Sequence, residues 1–140
     1  MKKIGVYLSV GPHAGGSFQY CLSVLKYLEG LDKKKVKILA FVTNNAWGKI
    51  LKKNIKIIKL IKPNKIELIL NYLSIFVPAN VIKFLLSKLS SNVRTLNSSK
   101  CDYLIFPSQE NIASKINIKS ITMIHDLMHR YERNFKEYDF

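Results

Sequence analysis

His125 and Asp126 stand side by side directly after an apolar run, Ser120–Ile124, and His129 follows four residues later in the stretch H-D-L-M-H-R. An imidazole and a carboxylate at the end of a strand suit proton transfer, charge stabilisation or a hold on a sugar or phosphate oxygen. The sheet keeps such groups rigid while the strand tip stays accessible. Two histidines at i and i+4 on a helix can also share a metal ion. Here H-D-L-M-H lacks the glutamate of H-E-x-x-H and no third ligand is evident, so no metal is expected. A satisfied strand-end histidine is the bland alternative, and it loses ground because Asp126, Arg130, Tyr131 and Glu132 crowd the same few residues.

The second stretch with chemical content is V-G-P-H-A-G-G-S, in which Gly11, Gly15 and Gly16 fall between an apolar run and an amphipathic pattern. Glycines between a strand and a helix let the chain turn sharply and let a ligand approach the backbone N–H groups. The open amides of the helix's first turn and its macrodipole favour an anion there, and a diphosphate fits. The spacing is neither G-x-G-x-x-G nor that of a nucleoside-triphosphate loop, and no acidic residue closes the second strand to hold a ribose. A tight turn with close helix–strand packing is the competing explanation. His13 either faces the ligand or is a solvated loop residue, and Ser17 and Gln19 either cap the helix or touch the anion.

These residues need a scaffold, and the hydrophobic patterning supplies one. Lys3–Val10 is short, apolar and β-branched, as expected of a buried first strand. Gly15–Leu31 carries Phe18, Cys21, Leu22, Leu25, Leu28 and Leu31 at helical spacing, with Gly30 marking its end. Val36–Thr43 predicts a second strand and Ala46–Lys53 a short Lys-rich helix or loop. The alternation of Ile and Lys in Ile55–Ile61 predicts a third strand with one exposed face or at an edge. Helical stretches are expected on either side of Pro78. Cys101–Phe106 and Ser120–Ile124 read as a fourth and fifth strand, with one helical turn at Asn111–Lys115 between them. This rhythm predicts an α/β domain over residues 1–140, a Rossmann-like, doubly wound, mostly parallel sheet. Ligands of such sheets bind beyond the carboxyl ends of the strands, which puts the glycine turn and the ends of the fourth and fifth strands on one rim.

The net charge of +14 is the outlier in the composition. It comes from 20 Lys and 3 Arg against 9 acids, and 17 Ile and 11 Asn accompany the Lys. An AT-rich coding sequence gives that combination unaided, so the charge names no partner by itself. Cys21 and Cys101 match no metal spacing and read as two buried thiols in a reducing cytosol. The apolar start, Ile4–Val10, is interrupted by Gly5 and Ser9 and has no cleavage site after it, so a strand is expected and not a signal peptide. The most apolar window, Ile66–Leu86, contains Glu67, Asn71, Pro78, Asn80 and Lys83 and is not a membrane span.

Three segments together resemble a known family. G-P-H-A-G-G-S-F-Q-Y after the first strand, C-D-Y-L-I-F-P-S-Q at the fourth and S-I-T-M-I-H-D-L-M-H-R-Y-E-R-N-F-K-E-Y after the fifth are similar to the N-terminal, acceptor-side domain of family 4 glycosyltransferases. Those enzymes have the two-domain GT-B architecture, and the resemblance spans essentially the whole chain. It implies a retaining, metal-independent transfer of a hexose from a nucleotide-diphosphate sugar to a glycan or lipid-linked acceptor. By that resemblance His125 and Asp126 are catalytic, His125 near the donor sugar and Asp126 orienting the site. Gly15, Gly16 and Ser17 lie against the donor diphosphate. His13, Gln19, Ser108, His129 and Arg130 line the acceptor side. Lys136 departs from the family, where proline is usual. The E-x7-E pair of the family's C-terminal donor domain is absent, so the chain is expected to be an N-terminal fragment that transfers nothing alone. The resemblance places it in the cytoplasm, with peripheral contact to the inner face of the membrane as an option. A stand-alone Rossmann-like module binding a nucleotide or phosphate is the alternative.

Two features remain outside this account. Lys33–Lys65 holds 11 Lys and no acid. A solvated surface or attraction to anionic lipid headgroups explains it, whereas nucleic acid would call for Arg and exposed aromatics, of which only Trp47 and Phe41 are near. No nucleic acid partner is expected. The large apolar residues of Tyr72–Leu89 are expected to pack against the sheet, with an exposed face beside lysines, suited to an anionic membrane surface, as the alternative.

Overall fold

The computed structural model describes residues 1–51, 55–61 and 65–124. The elements are β1 (Lys2–Leu8), a 3-10 turn (Pro12–Ala14), α1 (Gly16–Glu29), β2 (Val36–Val42), α2 (Trp47–Ile50), β3 (Lys56–Lys59) and α3 (Lys65–Leu73). They continue with α4 (Ala79–Leu89), α5 (Ser91–Ser98), β4 (Tyr103–Phe106), a second 3-10 turn (Asn111–Lys115) and β5 (Ser120–Thr122). The five strands form one parallel sheet in the order β3-β2-β1-β4-β5, flanked by helices on both faces. This is the expected Rossmann-like, doubly wound α/β fold. The order reverses at β1, which pairs with β2 on one side and with β4 on the other.

Two cores sandwich the sheet. Val6 and Leu8 of β1 and Ala40 and Val42 of β2 face α1, where Phe18, Cys21, Leu25 and Leu28 form the buried stripe that its spacing predicts. Tyr7, Leu39, Phe41, Leu104 and Phe106 point to the opposite face and pack with Leu96 of α5 and with Ile116. Burial on both faces is what the continuous apolar strands require. Gly5 exists because β1 and β4 close tightly beside it: an added Cβ would lie 2.4 Å from Leu104 Cδ2 and 2.8 Å from Phe41 Cε2. At the amino end of the sheet Asp102 accepts the backbone N–H of Lys3 at 2.7 Å. That bond, helped by the Lys2 ammonium at 3.7 Å, holds its carboxyl below the usual carboxylate range.

The third strand is an edge strand, one of the two placements its Ile/Lys alternation allows: β3 pairs with β2 alone. The region around Pro78 differs from expectation in two ways. Three helices form where two were expected, because Ser90 ends α4 and caps α5, its hydroxyl accepting the Val93 N–H at 3.1 Å. And the apolar residues there do not mainly pack on the sheet. Only Leu70, Ile82 and Leu86 of α3 and α4 join a buried cluster, with Val93 of α5, while Ile66, Ile69, Tyr72, Phe76 and Phe84 stay exposed. Each helix buries one narrow stripe, Glu67 and Leu70 on α3 and Ile82 and Leu86 on α4. Among the described residues no helix is long and apolar enough to cross a membrane.

Cys21 and Cys101 are both free and buried. Burial pushes the Cys21 thiol up to about 11, with the Glu110 carboxylate adding to it. The folded thiol therefore keeps its proton while an unfolded one loses it above its ordinary value of 9.0. Stability linked to Cys21 is intact below that value and is lost as the pH rises from there towards 11. Alkylation of Cys21 in the folded chain should be negligible at neutral pH and accelerate only in strong alkali, as mass spectrometry of iodoacetamide-treated protein would report. Gly5→Ala should lower stability by about 1–3 kcal/mol through overpacking, read as a fall in the urea midpoint at constant slope.

Candidate functional site

The carboxyl ends of β1, β2 and β4 come together where the strand order reverses, the usual place for a ligand in such sheets. After β1 the chain runs through Ser9 and Val10 into the glycine turn, and one buried side chain fixes its path. Trp47 of α2 is fully buried, donates Nε1–H to the Val10 carbonyl at 2.8 Å and stacks obliquely on Phe18, ring centroids 4.9 Å apart. Trp47 and Phe41 are thus both inside the protein, so neither offers a surface for a nucleic-acid base.

Each glycine in the turn has its own reason. At Gly11 a Cβ would meet Asn44 Nδ2 at 2.5 Å and the His13 ring at 2.9 Å, so the loops after β1 and β2 touch there. Gly15 has φ of 52° and ψ of −118°, a backbone that side chains oppose. Gly16 has open space where its Cβ would be. It starts α1, whose cap residue Gly15 offers no side chain and whose first turn has no acid. The first amides of α1 therefore present an uncapped, partly positive end. Gly15, Gly16, His13 and Gln19 are exposed around it and Ser17 is half-buried. Ser108 lies elsewhere on the rim, buried at the end of β4.

Apart from Ser108, residues that the sequence did not single out supply most of the site. Ser9, at the end of β1, and Ser108 lie 3.2 Å apart, hydroxyl to hydroxyl, and both donate to Glu110 Oε1, Ser108 at 3.1 Å. Glu110 in turn borders a cavity of about 650 Å³ on the α5 face of the sheet, walled by Tyr7, Thr43, Glu67, Asn71, Asn92 and Lys115. Burial pushes the Tyr7 phenol well above its usual range, and the carboxylates of Glu110 and Glu67 push it further, so Tyr7 remains a neutral donor. Lys115 is 8% exposed, donates Nζ–H to Asn71 Oδ1, and is held below the usual ammonium range by desolvation. Asn92 binds both backbone groups of Ile61, accepting at 3.1 Å and donating at 2.7 Å, which secures the chain after β3. The cavity thus gathers hydroxyl, amide, carboxylate and ammonium groups from five separate segments. Its signal in the sequence was faint: polar residues at helical spacing inside an apolar stretch, Glu67 and Asn71 above all.

His125, Asp126, His129 and Arg130 lie outside the described residues. The last described residues before them are well placed in the sheet. β5 pairs with β4 from Ser120↔Leu104 to Thr122↔Phe106, and Met123 donates its N–H to the Phe106 carbonyl at 3.0 Å.

Fold and rim together define a Rossmann-like α/β domain with a polar cavity at the carboxyl ends of its strands. No family model, curated protein or solved structure matches the chain.

The two adjacent glycines should respond differently to a methyl group. Gly15→Ala should cost about 1–3 kcal/mol through backbone strain. Gly16→Ala should leave stability unchanged or raise it by up to ~1 kcal/mol, because α1 already gives it a helical backbone with room for a Cβ. Paired urea denaturation curves separate the two.

Proposed function

We propose that the chain is the acceptor-side domain of a retaining, metal-independent glycosyltransferase with GT-B architecture, transferring a hexose from a nucleotide-diphosphate sugar to a glycan or lipid-linked acceptor. The observation that carries this reading is the cavity at the strand ends, bounded by Tyr7, Glu67, Asn92 and Glu110, beside a rim that also bears the uncapped glycine turn. A polyhydroxylated ligand needs several directional hydrogen bonds together with apolar surface for its C–H faces, and these walls offer donors and acceptors beside Ile61, Leu86, Val93 and Ile112. The similarity of the glycine turn, the β4 end and the H-D-L-M-H-R stretch to family 4 enzymes supports it independently.

In this reading the acceptor's sugar occupies the cavity, with Glu110 and its two serine donors orienting a hydroxyl. The diphosphate of the donor lies against the amides of Gly15, Gly16 and Ser17. His125 and Asp126, next in the chain after the β5 strand, act at the donor sugar. Most of the donor is held by a second α/β domain. Aligning an anomeric carbon with one acceptor hydroxyl removes much of the entropic barrier, and fixed dipoles stabilise the charge that develops there.

Amide chemical shifts of isotope-labelled chain test both halves of the proposal. UDP or GDP should shift Gly15, Gly16 and Ser17, and short oligosaccharides should shift Thr43, Asn92 and Glu110. Glu110→Ala should weaken the second set about tenfold while sparing the first. A response to nucleotide alone would favour a free-standing phosphate-binding module, and silence from both ligand classes would overturn the site. Hexose transfer by this chain unaided would contradict the need for a second domain.

A further inference from the structure

The helical hairpin α3–α4 is built the wrong way round for a helix pair that only covers a sheet. On α3 the inward stripe is Glu67 and Leu70, with Glu67 only 4% exposed, while Ile66, Leu68, Ile69, Tyr72 and Leu73 face solvent. The turn that follows exposes Ile75 and Phe76 at 75% and 77%, and α4 adds Val81, Phe84 and Leu89 while burying Ile82 and Leu86. Residues three and four apart on a helix are neighbours. Ile66, Ile69 and Leu73 therefore form one stripe on α3, and Val81 and Phe84, three apart, line up on α4, with Ile75 and Phe76 exposed between the two helices. An apolar surface of this extent is far beyond scattered exposed leucines and marks a contact surface.

Charge decides what the surface contacts. Across residues 65–89 the one acid is Glu67, which is turned inward, whereas Lys65 and Lys88 are exposed and Lys83 is half-buried between them. The apolar face is thus flanked only by cations, on a chain of net charge +14. A second copy of the same chain carries the same charge and is repelled by it. An anionic lipid surface is attracted by it, and the interface between headgroups and acyl chains takes up large aliphatic and aromatic side chains. The helices have 9 and 11 residues, about 14–17 Å each at the α-helical rise, which suits lying in the interface and is too short to span it.

We propose that the α3–α4 hairpin is a membrane-docking element that inserts Ile75, Phe76 and the outer face of α3 into an anionic bilayer surface, with Lys65, Lys83 and Lys88 at headgroup level. This does not depend on the transferase reading, since it stands on the inverted pattern of α3 and the local charge. Docking by this hairpin leaves the cavity open from the rim, because α3 turns Glu67 and Asn71 to the cavity and its apolar side chains away from it.

Flotation with vesicles of equal phosphatidylglycerol and phosphatidylcholine, compared with pure phosphatidylcholine, tests the proposal without any sugar or nucleotide. The chain should float with the anionic vesicles at low salt and much less with the neutral ones. Phe76→Glu and Ile75→Glu should each lower the partition at least tenfold, from the loss of one inserted side chain. Lys83→Glu and Lys88→Glu should each lower it about fivefold or more in a salt-dependent way. Ile75 and Phe76 are exposed, so their variants keep the parent's urea midpoint, and Phe76→Ser serves as a milder second variant. Failure to float at low salt would overturn the proposal. So would flotation unaffected by Phe76→Glu, which would assign binding to the lysines of residues 33–59. A dimer that Phe76→Glu converts to monomer, without vesicle binding, would make the hairpin a contact between copies instead.

Discussion

The pairing of β1 with parallel partners on both sides is the constraint from which the rest of the structure follows. Seven residues of β1 lie in register with β2, from Lys2↔Val36 to Leu8↔Val42, and three lie in register with β4. A strand buried on both faces and both edges has no tolerance for a misplaced side chain, and the place where tolerance runs out is Gly5, between Leu104 and Phe41. Because β2 and β4 leave β1 in opposite directions, the loops that follow them diverge. That divergence opens the cleft at the carboxyl end without any special device.

What fills the cleft is polar because the loops have nowhere else to satisfy their hydrogen bonds. Ser9 follows β1 directly and Ser108 lies two residues past β4, and both converge on one carboxylate, Glu110. This joins the central pair of strands just beyond their last ladder bonds, as Asp102 and the Lys3 N–H join them at the other end. Among the described residues two of the acids in this basic protein, Glu67 and Glu110, act on the same buried phenol of Tyr7. Two carboxylates and the Lys115 ammonium share one hollow, which discriminates between ligands by hydrogen bonding and charge.

The hairpin α3–α4 couples that hollow to the outside. Its polar stripe closes the cavity and its apolar stripes are left over, an arrangement that costs solvation unless something covers them. Cavity wall and contact surface are thus opposite faces of the same two helices, set by a few positions: Glu67, Leu70 and Asn71 inward, Ile66, Ile69 and Tyr72 outward.

The sequence by itself determined the five strands, the long α1 with its buried stripe, the single turn at Asn111–Lys115 and the shared rim, while the structure chose the edge for β3. These are legible in local periodicity and, for β1, β2 and β4, in apolar runs that burial between helices explains. The sequence also marked Gly15, whose positive φ disfavours any side chain. Only the tertiary structure decided the rest. Ser9, Ser108 and Glu110 meet across separations of about a hundred residues, and no local pattern encodes a hydrogen bond between two strand ends. The orientation of α3 could not be read either. Periodicity shows that a helix has two faces, and an apolar majority is ordinarily the inward one. Which face turns in depends on what lies beneath, and beneath α3 lies a polar cavity, so the face bearing Glu67 and Asn71 turned inward and the apolar majority was left outside.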